Sequence, residues 1–157
     1  MKKPHIRNNI AVLDIGKTHA KVILFDSHKL KELQVFQTEN IILTDSLYPH
    51  FDIGSLKEFI IDSLSELAKK YIVDSIFTST HGACMALMTK GKLALPVLDY
   101  EFEGPDQLKA EYNEVRPTFD LTGSPRMDLG LNLGAQLYWQ SKYFSKEFAK
   151  VDQILFW

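Results

Sequence analysis

The sequence NIAVLDIGKTHAKVILFD, from Asn9 to Asp26, decides the fold of this chain. Two apolar runs, 10–13 and 20–25, lie on either side of a short polar segment. Asp14 follows the first run directly, and Asp26 follows the second. Short apolar runs joined by a tight polar turn are typical of β-hairpins. The stretch therefore predicts two antiparallel strands joined by a turn at 15–19.

The predicted turn carries residue types suited to a phosphate and a metal ion. Asp14 lies at the exit of the first strand, and Gly16 lets the backbone approach a bound group because it has no Cβ. Thr18, Lys17 and Lys21 add a hydroxyl and positive charge. Mg²⁺ prefers hard oxygen ligands, and turn N–H groups form anion nests. The alternative is an ordinary hairpin, in which Asp14 and Gly16 serve the turn alone.

Composition limits the classes of protein to consider. The chain has 157 residues, is 45% hydrophobic and has a net charge of −2, which predicts one domain and no nucleic-acid surface. Its single cysteine, Cys84, excludes an internal disulfide, lies in an apolar stretch expected in the core, and suits a reducing cytoplasm. The sequence predicts neither a secretory signal nor a membrane span.

The rest of the chain alternates strand-like and helix-like patterns. Apolar residues three and four apart predict a helix over 55–71, which Asp52 or Ser55 would cap, between strands at 33–38 and 73–79. The order strand, strand, strand, helix, strand fits several α/β folds. The further predicted elements are a hairpin over 83–98, a polar helix over 106–116, an irregular stretch over 119–127, a helix from 130 to about 144 capped by Asp128 or Asn132, and a strand from 151 to 157.

Two further groups of residues suit a polyol ligand. His81 follows the strand at 73–79, and ligands of open α/β sheets gather at the carboxyl ends of strands. A histidine there either hydrogen-bonds a sugar hydroxyl or serves only the turn. Asp99, Glu101 and Glu103 alternate with two aromatic residues, which suits binding of a sugar ring and its hydroxyls. The alternative for these three acids is a solvated acidic loop.

Five residues, Asp14, Gly16, Thr18, Lys21 and Asp26, match the pattern DxGxTxxKxxxxD. This pattern resembles the first phosphate motif of the FGGY carbohydrate kinases, which belong to the actin-like ATPase superfamily. Further matches follow in the expected order: Thr80-His81-Gly82, Leu98-Asp99-Tyr100-Glu101, Leu121-Thr122-Gly123 and Gly130-Leu131-Asn132. The Asp99-Tyr100-Glu101 sequence and Lys17 look most like deoxysugar ketose kinases of the fuculokinase and rhamnulokinase kind.

The resemblance implies an α/β fold of the ribonuclease-H-like (actin-like ATPase) type, with a mixed central sheet flanked by helices. It runs through nearly all of this chain, but covers only the opening part of a much longer kinase. Residues 1–157 would form an incomplete N-terminal kinase domain, with a sugar-binding insertion at about 83–129. The whole kinase would use ATP and Mg²⁺ to phosphorylate a ketose hydroxyl.

The resemblance also assigns roles to single residues. Asp14 would hold Mg²⁺, and the phosphates would contact the residues Gly16, Lys17, Thr18 and Lys21. The sugar would contact the residues His81, Gly82, Asp99 and Glu101. The catalytic base, an aspartate, is expected after residue 157, so the implied site includes no catalytic residue in this sequence and the chain alone is expected to show no kinase turnover. Lys17 stands where many members carry threonine or serine, which makes this turn more basic.

The apolar ending ILFW predicts that the sequence is part of a longer chain, because native termini are usually polar. An unfinished strand edge would also favour a homodimer, since open edges invite pairing. The expected partners are a sugar and ATP, without nucleic acid or membrane, and the expected location is the cytoplasm. The alternative function is a non-catalytic binding or assembly module with the actin-like fold.

Overall fold

The computed structural model describes residues 9–156 of the chain. The polar lead-in predicted at 1–8 and the last residue of the predicted final strand lie outside the described residues. The contacts divide the described part into two compact units. The first contains residues 9–41 and 52–81, and the second contains residues 42–51 and 82–156.

The described chain begins with five strands and a long helix, continues with three more strands and a run of helices, and ends with a strand. The strands are β1 Asn9–Ile15, β2 His19–Asp26, β3 Lys31–Glu39, β4 Ile42–Leu43, β5 His50–Phe51, β6 Ser75–Thr80, β7 Met85–Thr89, β8 Lys92–Leu93 and β9 Gln153–Phe156. The helices are α1 Ile53–Ala68, α2 Lys109–Val115, α3 Phe119–Thr122, α4 Leu133–Tyr143 and α5 Ser145–Phe148, with a 3₁₀ helix at Gly104–Leu108.

The first unit is built on a mixed four-stranded sheet with the order β3-β2-β1-β6. β1, β2 and β3 are antiparallel neighbours, whereas β6 pairs parallel with β1. The predicted hairpin is confirmed, with Asp14 opposite Lys21 and Ile15 opposite Ala20. The sheet is mixed because the chain returns to the edge of β1 through α1, which lets β6 run in the direction of β1.

Helix α1 covers one face of this sheet. Its Leu67 is buried with Ala11, Val22 and Leu24 of β1 and β2. Asp52 is the cap, since its Oδ1 accepts from the Ser55 amide at 3.0 Å. The helix ends at Ala68, earlier than the predicted 71, because the next turn tightens and two successive amides donate to the Leu67 carbonyl.

The second unit combines small sheets with a helical layer. β7 lies between β8 and β9 in an antiparallel sheet, and β4 pairs with β5. The predicted hairpin over 83–98 is shorter than expected, since β8 contains only Lys92–Leu93 and pairs with Met88 and Thr89 of β7. Cys84 is fully buried, as predicted. Tyr48, Leu98 and Trp139 form an apolar cluster, which Phe102 and Phe144 pack against.

Two helix predictions and one loop prediction in this unit need adjustment. The predicted helix over 106–116 is a 3₁₀ helix followed by α2, and ends before Pro117 as expected. The stretch 119–127, predicted irregular, contains the short helix α3, which ends because Gly123 adopts a left-handed φ of 64°. Helix α4 begins at Leu133 rather than 130, with Asn132 as the cap. No helix in the described part is both long and apolar enough to cross a membrane.

Candidate functional site

The turn between β1 and β2 consists of Gly16, Lys17 and Thr18. The Gly16 amide donates to the His19 carbonyl at 2.9 Å, so this amide closes the turn rather than contributing to an anion nest. A Cβ on Gly16 would lie 3.2 Å from the same carbonyl, which explains why this tight position suits glycine. Thr18 is exposed, and its Oγ1 lies 3.1 Å from Nδ1 of His19. The backbone of this turn is therefore held closely, while its threonine faces solvent.

Asp14 belongs to a polar row that crosses the sheet at this end. Its register partners are Lys21 on β2 and Ser79 on β6, and Lys21 pairs with Gln37 on β3. Since side chains alternate between the faces of a sheet, this row lies opposite the residues that pack on α1. Asp14 and Lys21 are half-buried there. The row therefore brings a carboxylate, an ammonium and a hydroxyl to the sheet face that α1 leaves uncovered.

His81 lies at the same edge of the sheet as this turn. β1 and β6 run parallel, and their last paired residues are Ile15 and Thr80. Gly16 and His81 are the next residues on the two strands, so both follow neighbouring carboxyl ends. The structure thus unites, within one unit, the predicted phosphate turn and one predicted sugar contact. Ligands of open α/β sheets occupy this kind of edge.

Sequence reasoning missed Asn40, which holds the turn from behind. Its Nδ2 donates to the Gly16 carbonyl at 2.8 Å, and its amide donates to the Thr18 carbonyl at 2.9 Å. Asn40 is only 7% exposed. A single residue therefore binds both ends of the Gly16–Thr18 turn. The local sequence contained no signal of this, because the partners are 24 residues apart.

The described residues contain no group of three or more histidine, cysteine or acidic side chains that could enclose a metal ion. Mg²⁺ commonly uses one or two carboxylates and completes its shell with waters and substrate phosphates. Asp14 supplies one carboxylate, so the donor set fits Mg²⁺ that arrives together with a polyphosphate.

The other predicted sugar contacts lie in the second unit. Asp99 is buried, and its Oδ1 accepts from the Glu101 amide at 3.1 Å, so this carboxylate helps to build its own loop. Glu101 is exposed. The pKa of Tyr100 is raised above its ordinary value, mainly by burial and secondly by the nearby Glu101 carboxylate. Tyr100 between the two acids therefore stays a neutral hydroxyl at physiological pH.

Gly82 lines a cavity of about 490 Å³ in the second unit. Its wall comes mainly from α2, the loop 117–132 and the start of α4, and includes Tyr112, Arg116 and Asn132. Cavities of this size bind small molecules. The sequence contained the motif Gly130-Leu131-Asn132 but gave no sign that it faces Arg116, since α2 reads simply as a polar helix.

Asn132 organises the cavity wall. Its Oδ1 accepts from the Ala135 amide at 3.0 Å and from the Tyr112 hydroxyl at 3.2 Å. Its Nδ2 donates to the Pro125 carbonyl at 2.8 Å. Glycine suits position 134, because a Cβ there would lie 2.1 Å from the Tyr112 hydroxyl oxygen and would displace that side chain. These contacts tie α2, the loop and α4 into one wall.

The loop that completes the wall has a constrained backbone. Met127 and Leu129 adopt φ values of 55° and 58°, which side chains other than glycine rarely take. Asp106 compensates, since its Oδ2 accepts from the Leu129 amide at 2.8 Å and its Oδ1 accepts from Arg126 at 3.0 Å. The loop is therefore held in one shape by a carboxylate on the 3₁₀ helix.

Comparison with solved structures identifies the fold. A carbohydrate kinase from Novosphingobium aromaticivorans matches 96% of this chain at 34% identity and a TM-score of 0.87. A gluconate kinase from Lactobacillus acidophilus matches 94% at 13% identity and a TM-score of 0.74. A glycerol kinase from Plasmodium falciparum matches 92% at 14% identity and a TM-score of 0.71. No family model and no curated protein sequence matches significantly.

The chain therefore has the fold of the actin-like ATPase domain of carbohydrate kinases, as the sequence predicted. Its similarity covers 32% of the Novosphingobium chain, 31% of the Lactobacillus chain and 30% of the Plasmodium chain. The sequence thus corresponds to about a third of the length of these kinases.

Proposed function

We propose that this chain is the N-terminal part of an FGGY-type carbohydrate kinase, which transfers the γ-phosphoryl group of ATP to a sugar hydroxyl. The observation that carries the proposal is the edge of the first sheet, where the Gly16–Thr18 turn and His81 follow neighbouring parallel strands. The likeness to a carbohydrate kinase at 34% identity supports it. The proposed acceptor is a ketose, in keeping with the resemblance of Asp99-Tyr100-Glu101 to deoxysugar ketose kinases.

In this proposal the first unit binds the polyphosphate. Asp14 would hold Mg²⁺, which when bound would supply positive charge to offset the negative charge of the phosphates. Lys17 and Lys21 add positive charge at the phosphates, and Thr18 contacts them through its hydroxyl. Gly16 contacts them by close approach, because it has no Cβ. Asn40 keeps the turn in shape. Phosphoryl transfer depends mostly on positioning and charge stabilisation, so the shape of this turn is central to the reaction.

The proposed sugar contacts are His81 and Gly82, together with Asp99 and Glu101 in an insertion at about 83–129. His81 donates or accepts a hydrogen bond with a sugar hydroxyl, and the two carboxylates accept from others. The proposal assigns the catalytic base, an aspartate, to a region outside these 157 residues. It follows that the purified 157-residue chain should show no kinase turnover with ATP and a ketose.

The decisive experiment compares two carboxylate variants in a longer protein that contains this sequence and is active. Asp14→Asn should lower kcat by about 10²- to 10³-fold, because a charge that stabilises the transition state is lost. Asp62→Asn, an exposed carboxylate on α1 of the same unit, is the matched control and should leave kcat unchanged. Equal activity of the Asp14 variant and the wild type would contradict the proposed role.

Two weaker elements complete the proposal. We infer a cytoplasmic location, supported by the single buried cysteine, since reducing compartments keep thiols free. We also infer a homodimer of the 157-residue chain, supported by the exposed apolar residues Ile76 and Phe77 on edge strand β6. Sedimentation equilibrium at high protein concentration tests the dimer, and a monomer there would contradict it.

A further inference from the structure

We propose that the cavity beside Gly82 binds the carboxylate of a sugar acid, so that the acceptor is a ketose that carries a carboxylate rather than a neutral deoxyketose. The inference rests on the proposed kinase function and narrows its class of substrate. The cavity lies within the second unit, and its lining residues fall between positions 82 and 134.

Arg116 supplies the charge that recognises the carboxylate. Among the described residues that line the cavity, it is the one charged side chain. Within residues 9–156, no carboxylate lies within 4.0 Å of its guanidinium. An arginine is almost never fully buried unless it is paired, and Arg126, whose side chain is nearly buried, pairs with Asp106. Arg116 instead presents its charge to the cavity.

The guanidinium of Arg116 is held in place before any ligand binds. Its Nη2 donates to the Ser124 carbonyl at 2.5 Å, and its Cζ lies 5.8 Å from the centroid of the Tyr112 ring. Asn132 in turn fixes the Tyr112 hydroxyl. A guanidinium has five N–H donors, so further donors remain for a ligand after the bond to Ser124. Preorganisation of this kind lowers the entropic cost of binding.

The remaining wall suits a polyol. Thr122, Ser124 and Asn132 bring hydroxyl and amide groups to the cavity, and Tyr112 adds an aromatic ring. These groups neither repel an anion nor require one, since the lining described contains no acidic side chain. A ligand that combines hydroxyl groups with one negative charge would therefore match both this wall and Arg116.

One guanidinium favours a carboxylate over a phosphate. Its planar fork matches the two oxygens of a carboxylate in a bidentate pair. Phosphate groups carry more charge, and their sites usually add further cations or several backbone N–H groups. The described residues of the lining include neither a lysine nor a second arginine. The geometry thus points to a carboxylate at Arg116 and hydroxyl groups along the rest of the wall.

Calorimetric titration of the 157-residue chain tests the inference with matched ligand pairs. D-fructuronate is compared with D-fructose, and D-tagaturonate with D-tagatose, because the members of each ketose pair differ mainly in the carboxylate. The acid of at least one pair should bind about 10-fold or more tightly than its neutral partner. This preference should decrease with added salt, because screening weakens the ionic contact. Inorganic phosphate should compete weakly.

Variants then assign the effect to Arg116. Arg116→Gln should weaken binding of the acid by about 10- to 100-fold and leave the neutral partner unchanged, as expected for loss of a charge-assisted pair. Arg116→Lys should bind the acid with an affinity between those of the wild type and Arg116→Gln, because lysine keeps the charge but lacks the planar pair of N–H donors. Lys142→Gln removes the same charge from an exposed position on α4 and should have no effect. Near-ultraviolet circular dichroism verifies that each variant is folded.

Three outcomes would overturn the inference: no binding of either acid, equal binding of acid and neutral partner, or unchanged binding by the folded Arg116→Gln variant. Displacement of the acid by an equal concentration of inorganic phosphate would show a general anion site and would also contradict it. These results are separate from the test of the kinase function. Preference for a neutral ketose with a kcat that depends on Asp14 would overturn this inference alone, whereas Arg116-dependent acid binding with a kcat independent of Asp14 would overturn only the kinase role.

Discussion

Replacement of Asn132 by alanine should destabilise the second unit markedly, because this one side chain joins α4 to two other segments. Asn132 is 7% exposed. It caps α4 through the Ala135 amide, accepts from the Tyr112 hydroxyl and donates to the Pro125 carbonyl. Alanine removes all three interactions at once without creating a large cavity.

The magnitude follows from these contacts. Loss of an N-cap costs about 1 kcal/mol. Each of the other two hydrogen bonds contributes about 1 kcal/mol, less where water replaces the lost partner. The free energy of unfolding should therefore fall by about 2–3 kcal/mol. Asn132→Ser keeps an oxygen for the cap but not the amide donor, so the free energy of unfolding of this variant should decrease by about half as much.

Urea unfolding measures this change. Trp139 packs in the apolar cluster of the same unit, and its fluorescence reports on that unit in a background that carries Trp157→Phe. Asp128→Ala is the matched control, since Asp128 was the other candidate cap and its side chain is 71% exposed. The midpoint should move for Asn132→Ala and not for Asp128→Ala. An unchanged midpoint for Asn132→Ala, or equal shifts for both variants, would refute the reasoning.

Two further predictions concern the same unit. Gly130→Ala should lower the free energy of unfolding by about 1–3 kcal/mol, because its Cβ would lie 2.9 Å from the Cα of Tyr100 and backbone atoms would have to shift. Gly82→Ala is the control and should be nearly neutral, because its Cβ would meet nothing within 4 Å. Thermal unfolding measures both variants, and a Gly82→Ala variant as unstable as Gly130→Ala would contradict the importance of the close approach between Gly130 and Tyr100. The Tyr48 hydroxyl donates to the Pro96 carbonyl and accepts from Gln140. Burial raises the pKa of Tyr48, so the folded state keeps a proton that the unfolded state loses above a pH of about 10. The contribution of Tyr48 to the free energy of unfolding should therefore be complete below that pH and decrease as the pH rises beyond it. Tyr48→Phe should make the free energy of unfolding depend less on pH between pH 9 and about 11. An equally steep loss in the variant would exclude Tyr48 as the cause.

The sequence alone determined the elements whose signals are local. The apolar runs around Gly16 predicted the β1–β2 hairpin, and the spacing of Leu56, Leu64 and Leu67 predicted α1. Such patterns are informative because a strand repeats every two residues and a helix every 3.6 residues, so the buried face is written in neighbouring positions. The position of Asp14 at the strand exit followed from the same pattern.

Boundaries were less predictable than the elements themselves. Asn132 and Asp128 were equally good caps by sequence, and only Asn132 lies where its Oδ1 reaches the Ala135 amide. The short helix α3 was missed, because four residues carry too little periodicity to stand out. Its end depends on the left-handed backbone of Gly123, which a glycine permits but does not require.

Only the tertiary structure decided which distant residues form the candidate sites. The parallel pairing of β1 with β6 brought His81 to the edge where the Gly16 turn lies, and Asn40 reached that turn from 24 residues away. The cavity likewise joins Gly82 to Arg116 and Asn132 through packing of α2, a loop and α4. These contacts depend on chain closure and side-chain packing between segments far apart in sequence, and no local periodicity records which segments will meet.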